Sequence, residues 1–334
     1  RLRTKTMKNN DINLEYLTWG YRASRVLQVA NNLDIFTVLS EGEMSVGEVS
    51  ERCYTKRDMT EKLLIACTAM GLLEKEDEKY ANSEFADTYL VRGRKLYQGD
   101  IIAHSASVWN FWHRLEDEIR LENAPKDDKP NGHRNFIMAM HNIAISGRAK
   151  MLADNVDLSG RKKLFDVGGG PGTYSITLCQ RYPQLKAVVF DLPDTIAITR
   201  EVIAKEGMED RVSVKEGSWD TETFGDGNDV ALLSNVLHGS GSKAEMKLKK
   251  AYDSMTDDGL LIIQDFVLND DKTGPLTPAL FNIMVGAYSR PELFAVIKSA
   301  GFVRPKIIVS SKEHGSTVIT AVKSSISVVA NFPR

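Results

Sequence analysis

An α/β domain built on a mostly parallel sheet, preceded by a mainly helical module with a winged-helix outline, is the fold class this sequence predicts. Three observations carry the prediction. From Lys162 onward, short apolar runs alternate with helical patterns, as in a sheet covered by helices on both faces. Between Leu14 and Leu121 the apolar residues recur at helical spacing. At the first strand-to-helix junction of the second half stands DVGGGPG, Asp166 to Gly172. Gly168, Gly170 and Gly172 recur at every second position there, so the chain can turn with positive φ and a ligand can approach bare backbone.

The N-terminal elements follow in order. Tyr16 to Val29 and Ile35 to Leu39 share one helical pattern, interrupted at Asn31 and Asn32. Ser45 opens a helix, Thr55 to Asp58 turn the chain, and Met59 to Leu73 form a second helix with Leu63, Leu64, Ala66, Cys67 and Met70 inward. Leu72 to Glu74 and Lys79 to Asn82 read as a two-stranded wing around the charged turn Lys75 to Glu78. Winged helices often bind DNA, yet Met59 to Gly71 carries only Lys62 as a basic residue, and the wing holds Glu74, Glu76, Asp77 and Glu78. Phosphate affinity requires clustered Lys and Arg, so a DNA-binding regulator is disfavoured. The apolar surplus of Leu14, Leu17, Trp19, Val26, Leu27 and Val29 suits association with a second copy, a homodimer through this module.

Asp100 to Leu121 and Asn135 to Val156 read as two linking helices rich in aromatics and methionine, with Asn123 to Gly132 a polar loop between them. Core packing is the default reading of such side chains. As a group they can also wall a substrate pocket, with His104, Trp109, Phe136, Met140 and His141 as candidates here and Met284 from a later segment.

The second half supplies strand candidates at Lys163–Val167, Ala187–Asp191, Val212–Lys215, Asp229–Ser234, Leu260–Asp265, Lys306–Val309 and Thr317–Val322, with helices after Gly172, Pro193, Ser242 and Ser289. The late strands leave room for an antiparallel closing hairpin. Asp191 ends the second strand about 20 residues after the first glycine, where an acid accepts hydrogen bonds from ribose hydroxyls. Pro193 and Asp194 leave a helix-cap role for Asp191 open as well. A dinucleotide fingerprint would place its third glycine where Thr173 stands, which disfavours a nicotinamide oxidoreductase. The domain organisation expected is a helical module over residues 1–100, linking helices over 101–160 and the ligand-binding α/β domain over 161–334.

Composition sets outer bounds. The 334 residues are 42% hydrophobic and 26% charged, with a formal net charge of −2. That balance, with a pI near 6.4, exerts no global pull toward nucleic acid or anionic membrane. Cys53, Cys67 and Cys179 are widely spaced, without metal-ligand spacing, and read as reduced thiols. No run reaches the roughly 18 to 20 apolar residues of a membrane span, and the simplest expectation is a cytoplasmic protein without a metal.

The glycine loop led by an acid resembles motif I of class I S-adenosylmethionine (SAM) methyltransferases. Nearly the whole chain is similar to the small-molecule O-methyltransferases that include plant caffeate and acetylserotonin methyltransferases and bacterial relatives. The residues that carry the resemblance are FxxAM at Phe136, Ala139 and Met140; DVGGGPG; FDLP at Phe190 to Pro193; DRV at Asp210 to Val212; NVLHG at Asn235 to Gly239; DDG at Asp257 to Gly259; and AGF at Ala300 to Phe302. The resemblance implies a winged-helix dimerisation domain followed by a SAM domain. It implies methyl transfer to a small-molecule acceptor, with S-adenosylhomocysteine as the second product.

The implied cofactor contacts are Asp166, Gly168, Gly170, Gly172, Asp191, Leu192, Gly217, Ser218, Trp219 and Ser234. The implied general base is His238, oriented by Asp265 and Glu292. Departures from the family pattern bear on each role. Gly239 and Ser240 follow the His where plant members have Asp and Trp, Ser234 stands in place of a Lys, and Gly217-Ser218 replaces Gly-Asp. Trp219 can stack on adenine or pack. Asp265 is one methylene shorter than the family's Glu, and Glu292 can equally be a first-turn acid favoured by the helix dipole. A base is needed most for a hydroxyl, so these departures keep S- or C-methylation open beside O-methylation, and a non-catalytic SAM-binding regulator as a more distant reading.

Overall fold

The structure, a computed structural model, describes residues 14–121, 132–311 and 314–324. It divides the chain into two compact units, one of residues 1–124 with 271–283 and one of residues 125–270 with 284–334. The segment read as linking helices is therefore shared, its first part belonging to one unit and its second part to the other. Residues 271–283, placed by sequence in the α/β domain, join the N-terminal unit.

In the first unit, α1 (Leu14–Trp19), α2 (Tyr21–Asn32) and α3 (Ile35–Leu39) lead to strand β1 (Met44–Ser45). The unit continues through α4 (Val46–Arg52), α5 (Arg57–Ala69) and the hairpin β2 (Leu73–Glu76) and β3 (Lys79–Asn82). Ser45 caps α4 in a reciprocal box with Glu48, satisfying two otherwise orphaned backbone donors. β1 adds to the wing as a third, antiparallel strand, in the order β1-β3-β2. Helix α6 (Glu84–Tyr89) follows. Ile35, Phe36, Leu64, Cys67 and Tyr80 close the core, and Leu280 and Ile283 of the returning segment pack against it. The segment is tied further by Phe281, whose ring meets Trp19 edge-on at 5.3 Å and lies under Arg22.

The helix expected from Asp100 to Leu121 is three short ones: α7 (Gly99–Ser107), α8 (Trp109–His113) and α9 (Leu115–Ile119). The chain leaves helical geometry at Val108 (ψ 4°) and Arg114 (ψ 8°). Neither α8 nor α9 buries a side chain in this unit, so tertiary packing, the main support of short helices, does not hold the segment straight. The polar loop expected from Asn123 lies outside the described residues up to its last member, Gly132.

The second unit opens with α10 (Gly132–Ile143), a π-helical turn over Ala144–Arg148, and α11 (Ala149–Asn155). The single helix expected here breaks at Gly147, whose φ of 133° no side-chain-bearing residue adopts readily. A Cβ there would also lie 2.7 Å from the His314 imidazole. The sheet then forms from β4 (Lys163–Val167), β5 (Lys186–Asp191), β6 (Val212–Glu216), β7 (Asn228–Ser234) and β8 (Met255–Asp265). A short β9 (Val267–Leu268) pairs with a short β10 (Tyr288–Ser289), and β11 (Phe302–Ser311) and β12 (Ser316–Lys323) complete the set. The intervening helices are α12 (Thr173–Arg181), α13 (Pro193–Lys205), α14 (Ala244–Ser254), α15 (Leu276–Val285), which also enters the first unit, and α16 (Arg290–Ser299).

Seven strands lie in the order β11-β12-β8-β7-β4-β5-β6. β4 to β8 pair in parallel, and β12 runs antiparallel between β8 and β11, the closing hairpin expected. Alternate strand residues feed two cores on opposite faces: Leu164, Val230 and Leu232 face α11 and α12, while Phe165, Ala231 and Leu233 face α14 and α16. Phe165, Phe190 and Phe224 form a ring cluster with centroids 5.5 to 5.7 Å apart. The order reverses direction between β4 and β7, so the crevice for a ligand opens at their carboxyl ends.

Candidate active site

Two loops meet at that crevice. The first leaves β4 through Gly168 (φ 65°), Gly170 (φ 54°) and Gly172 (φ 76°) and enters α12. The second leaves β7 through Asn235, in left-handed geometry at φ 54°, and runs to His238 and Gly239. They touch: a Cβ built on Gly168 would stand 2.9 Å from Val236 and 3.1 Å from the Trp219 ring. Gly170, by contrast, has nothing within 4 Å of such a Cβ. Both alanine variants carry the left-handed strain of about 1 to 2 kcal/mol, and overpacking adds about 1 to 3 kcal/mol at Gly168 only. Gly168→Ala is therefore expected to lower unfolding stability in urea by clearly more than Gly170→Ala; equal losses would contradict the close approach.

Asp191 ends β5 beside this loop. Its Oδ2 accepts from Gly170 N at 2.9 Å and its Oδ1 from Leu192 N at 2.8 Å. The carboxylate is only partly buried, so further lone pairs remain for a ribose diol. Leu192, half exposed, offers an apolar surface next to it. Gly217 donates its N–H to the Asp191 carbonyl at 3.0 Å, and a Cβ there would strike the Phe190 ring at 2.8 Å. Ser218 accepts from Asp220 N, and Ser234, at the end of β7, accepts from the Asn235 amide.

Asp166, expected among the cofactor contacts, lies fully buried beneath the loop. Ser175 donates to its Oδ2 at 2.7 Å, while Oδ1 has no partner. Burial pushes its carboxyl up to about 7, against the lowering effect of the Ser175 hydrogen bond. The bare backbone, the half-open Asp191 and the orphaned acceptor fit an adenosine-bearing ligand with an ammonium or hydroxyl to donate.

His238 stands at the mouth of the second loop with its side chain 22% exposed. Its Nδ1 lies 2.9 Å from Asp265 Oδ1. The shorter acid reaches, because Asp265 is the last residue of the neighbouring strand β8. Asp265 is itself fixed by two backbone donors, Leu237 N at 3.0 Å and Phe266 N at 2.7 Å. A carboxylate held this way takes the proton-bearing Nδ1, which leaves Nε2 with the lone pair. Burial lowers the imidazole pKa, but the hydrogen bond and charge of Asp265, together with a backbone hydrogen bond at Asn235, outweigh it, so His238 sits above its ordinary value. Phe266 stacks on the ring at 5.9 Å. Gly239, where plant members have Asp, is explained by packing: its backbone lies against Gly286, and a Cβ would be 3.2 Å from Gly286 Cα.

Glu292 forms the capping box of α16, its Oε2 accepting from both the N–H and the hydroxyl of Ser289 at 2.8 Å. The first-turn reading of this acid is the one the geometry displays. Of the acceptor-side residues, His104 and Trp109 belong to the first unit, where Trp109 packs against Tyr21 and under Arg25. Phe136, Met140, His141 and Met284 belong to the second; Phe136 and Met284 are largely exposed. His141 Nδ1 meets the hydroxyl of Thr173, the first residue of α12, at 2.8 Å, which places it at the glycine loop. Burial lowers its pKa and favours the neutral ring.

Trp219 is engaged by a residue the sequence left unnoticed. Lys247 of α14 is 3% exposed and places its ammonium 3.8 Å from the Trp219 ring centroid. The available signal was periodicity: Lys247 occupies the same helical stripe as the buried Ala244, Leu248 and Ala251. Among the described residues no group of His, Cys, Asp and Glu could hold a metal ion, and no helix is long and apolar enough to cross a membrane.

Comparison with known proteins closes the question of family. The O-methyltransferase domain profile matches residues 122–303, over half of the chain, and the O-methyltransferase dimerisation domain matches residues 15–92. The chain belongs to the O-methyltransferase family. It is a SAM-dependent methyltransferase with a class I fold. This O-methyltransferase is 30% identical to a 3-hydroxy-5-methyl-1-naphthoate 3-O-methyltransferase of Streptomyces sahachiroi, covering 92% of this chain and 94% of that one. It is 26% identical to an L-tyrosine C(3)-methyltransferase of Streptomyces lavendulae, covering 83% and 81%. Among solved structures, an O-methyltransferase family 2 protein of Planctomyces limnophilus in complex with apigenin superposes with a TM-score of 0.76 at 27% identity, covering 92% and 94% of the two chains.

Proposed function

We propose that this enzyme methylates a hydroxyl of a small aromatic acceptor, with His238 as general base and Asp265 as the residue that orients it. The observation that carries the reading is the Asp265–His238 pair at the crevice, with Nδ1 committed to the carboxylate. SAM, when bound, supplies a methyl group already activated on a sulfonium. Its binding would fall to Gly168, Gly170, Gly172, Asp191, Leu192, Gly217 and Ser218, with Ser234 and the Trp219 edge nearby. His238 Nε2 would take the acceptor's proton as the oxygen becomes nucleophilic, an effect worth about 10² to 10⁴ in rate. Phe136, Met140, His141 and Met284 are proposed for the acceptor side. The hydroxynaphthoate relative and the apigenin complex support an aromatic hydroxyl. The dimerisation domain supports a homodimer.

The tyrosine C(3)-methyltransferase relative favours one second reading, C-methylation ortho to a phenolic hydroxyl, since removing the same proton also activates the ring carbon. Isotope-labelled methyl transfer to a panel of phenols and hydroxynaphthoates, with products read by NMR, separates the two. Methyl signals of aryl ethers are expected; label found only on ring carbon would replace O- by C-methylation.

A further inference from the structure

We propose that Lys247 is a positioning residue for this reaction: its buried ammonium fixes the turn that presents His238 and opposes a second positive charge on the imidazole. The inference rests on the reading of His238 as the base. An ammonium in the apolar stripe of α14 is costly unless compensated, and the compensation is specific. Lys247 Nζ donates to the carbonyl of Val236 at 2.8 Å, two residues before His238. Asp265 holds the same turn through Leu237 N and His238 Nδ1. The turn is thus held by both an anion and a cation, and Val236 is also the side chain that abuts Gly168. Trp219 completes the arrangement, with its ring 3.8 Å from the ammonium and its edge toward Gly168.

The two charges act on His238 in opposite directions. Asp265 favours the imidazolium, and Lys247 opposes it. Around Lys247, burial pulls its pKa down to about 8, Asp220 and Asp265 raise it, and Lys243 lowers it. Lys243 is itself paired with Asp220 at 2.8 Å near the surface. Lys247 therefore keeps its charge over the acidic and neutral range in which a histidine titrates. A base that is to accept a proton must arrive without one, and a fixed neighbouring cation serves that end without withdrawing the orienting carboxylate.

The test uses the full-length chain with histidine isotopically labelled, the His238 resonance assigned by its loss in His238→Gln. NMR titration without SAM reads the midpoint directly. Lys247→Met is expected to raise the His238 midpoint above wild type, and Lys247→Arg to leave it near wild type. In the methyl-transfer assay the acid limb of kcat should move the same way in Lys247→Met, with kcat at neutral pH down about tenfold and KM for SAM changed far less. An unmoved midpoint in Lys247→Met, or an equal shift in Lys247→Arg, overturns the proposal. Should Lys247→Met fail to fold, Lys247→Gln removes the charge while keeping a donor for Val236, and the same midpoint decides. A His238→Gln enzyme that retained the wild-type acid limb would refute His238 as the base, leaving the NMR shift to judge Lys247 separately.

Discussion

Replacing His238 by alanine is expected to lower turnover on an oxygen acceptor by about 10² to 10⁴, equivalent to about 3 to 5 kcal/mol of barrier. The loss belongs to chemistry, since the ring is partly exposed at the crevice and contributes to neither sheet core. Near-normal unfolding and near-normal SAM affinity by calorimetry should accompany it. The wild-type enzyme should lose activity as pH falls through the His238 pKa, which Asp265 places above the ordinary histidine value. That limb should vanish in His238→Ala. A correctly folded variant that methylates oxygen within a few-fold of wild type would remove His238 from the mechanism.

Asp265→Ala is expected to damage both stability and rate. The side chain is 1% exposed and accepts from Leu237 N, Phe266 N and the His238 ring. Its truncation leaves two buried backbone donors without an acceptor, at about 1 to 3 kcal/mol each, and frees the imidazole to take the wrong tautomer. Asp265→Asn separates these effects, because the amide keeps one acceptor oxygen.

In that variant the carboxylate charge that offsets burial is gone, so the acid limb moves to lower pH. The linked stability follows the sign of the raised pKa. The charged His238–Asp265 pair stabilises the fold fully below the unfolded histidine value of 6.5, and the contribution is lost as pH rises through the higher folded value. Asp265→Asn should therefore show its largest stability deficit, relative to wild type, on the acid side of that window. Denaturant unfolding at several pH values checks it, and a pH-independent deficit would show that the pair carries no linked charge.

Much of the molecule was legible in the chain because its signals are local. The strand ends of β4, β5 and β7 were read to within a residue from apolar runs closed by Gly, Asp or Asn. The capping box at Ser45 and the positive-φ glycines follow from backbone sterics alone. Less local features escaped. The absence of room for a side chain at Gly147 is set by a histidine far along the chain, and the return of residues 271–283 to the N-terminal unit is tied by Trp19, Arg22 and Glu61.

By itself, then, the sequence settled the order of elements, the parallel sheet, the glycine loop and the presence of His238 at its ligand edge, because periodicity and turn chemistry act over a few residues. Only the tertiary structure decided that Asp265 meets His238, that Glu292 forms a capping box with Ser289, that Asp166 lies under the loop, and that Lys247 stands behind the turn. Those outcomes turn on distances of about 3 Å between side chains on different strands and helices. Strand order and helix docking set such distances, and neither is written in any short stretch of chain.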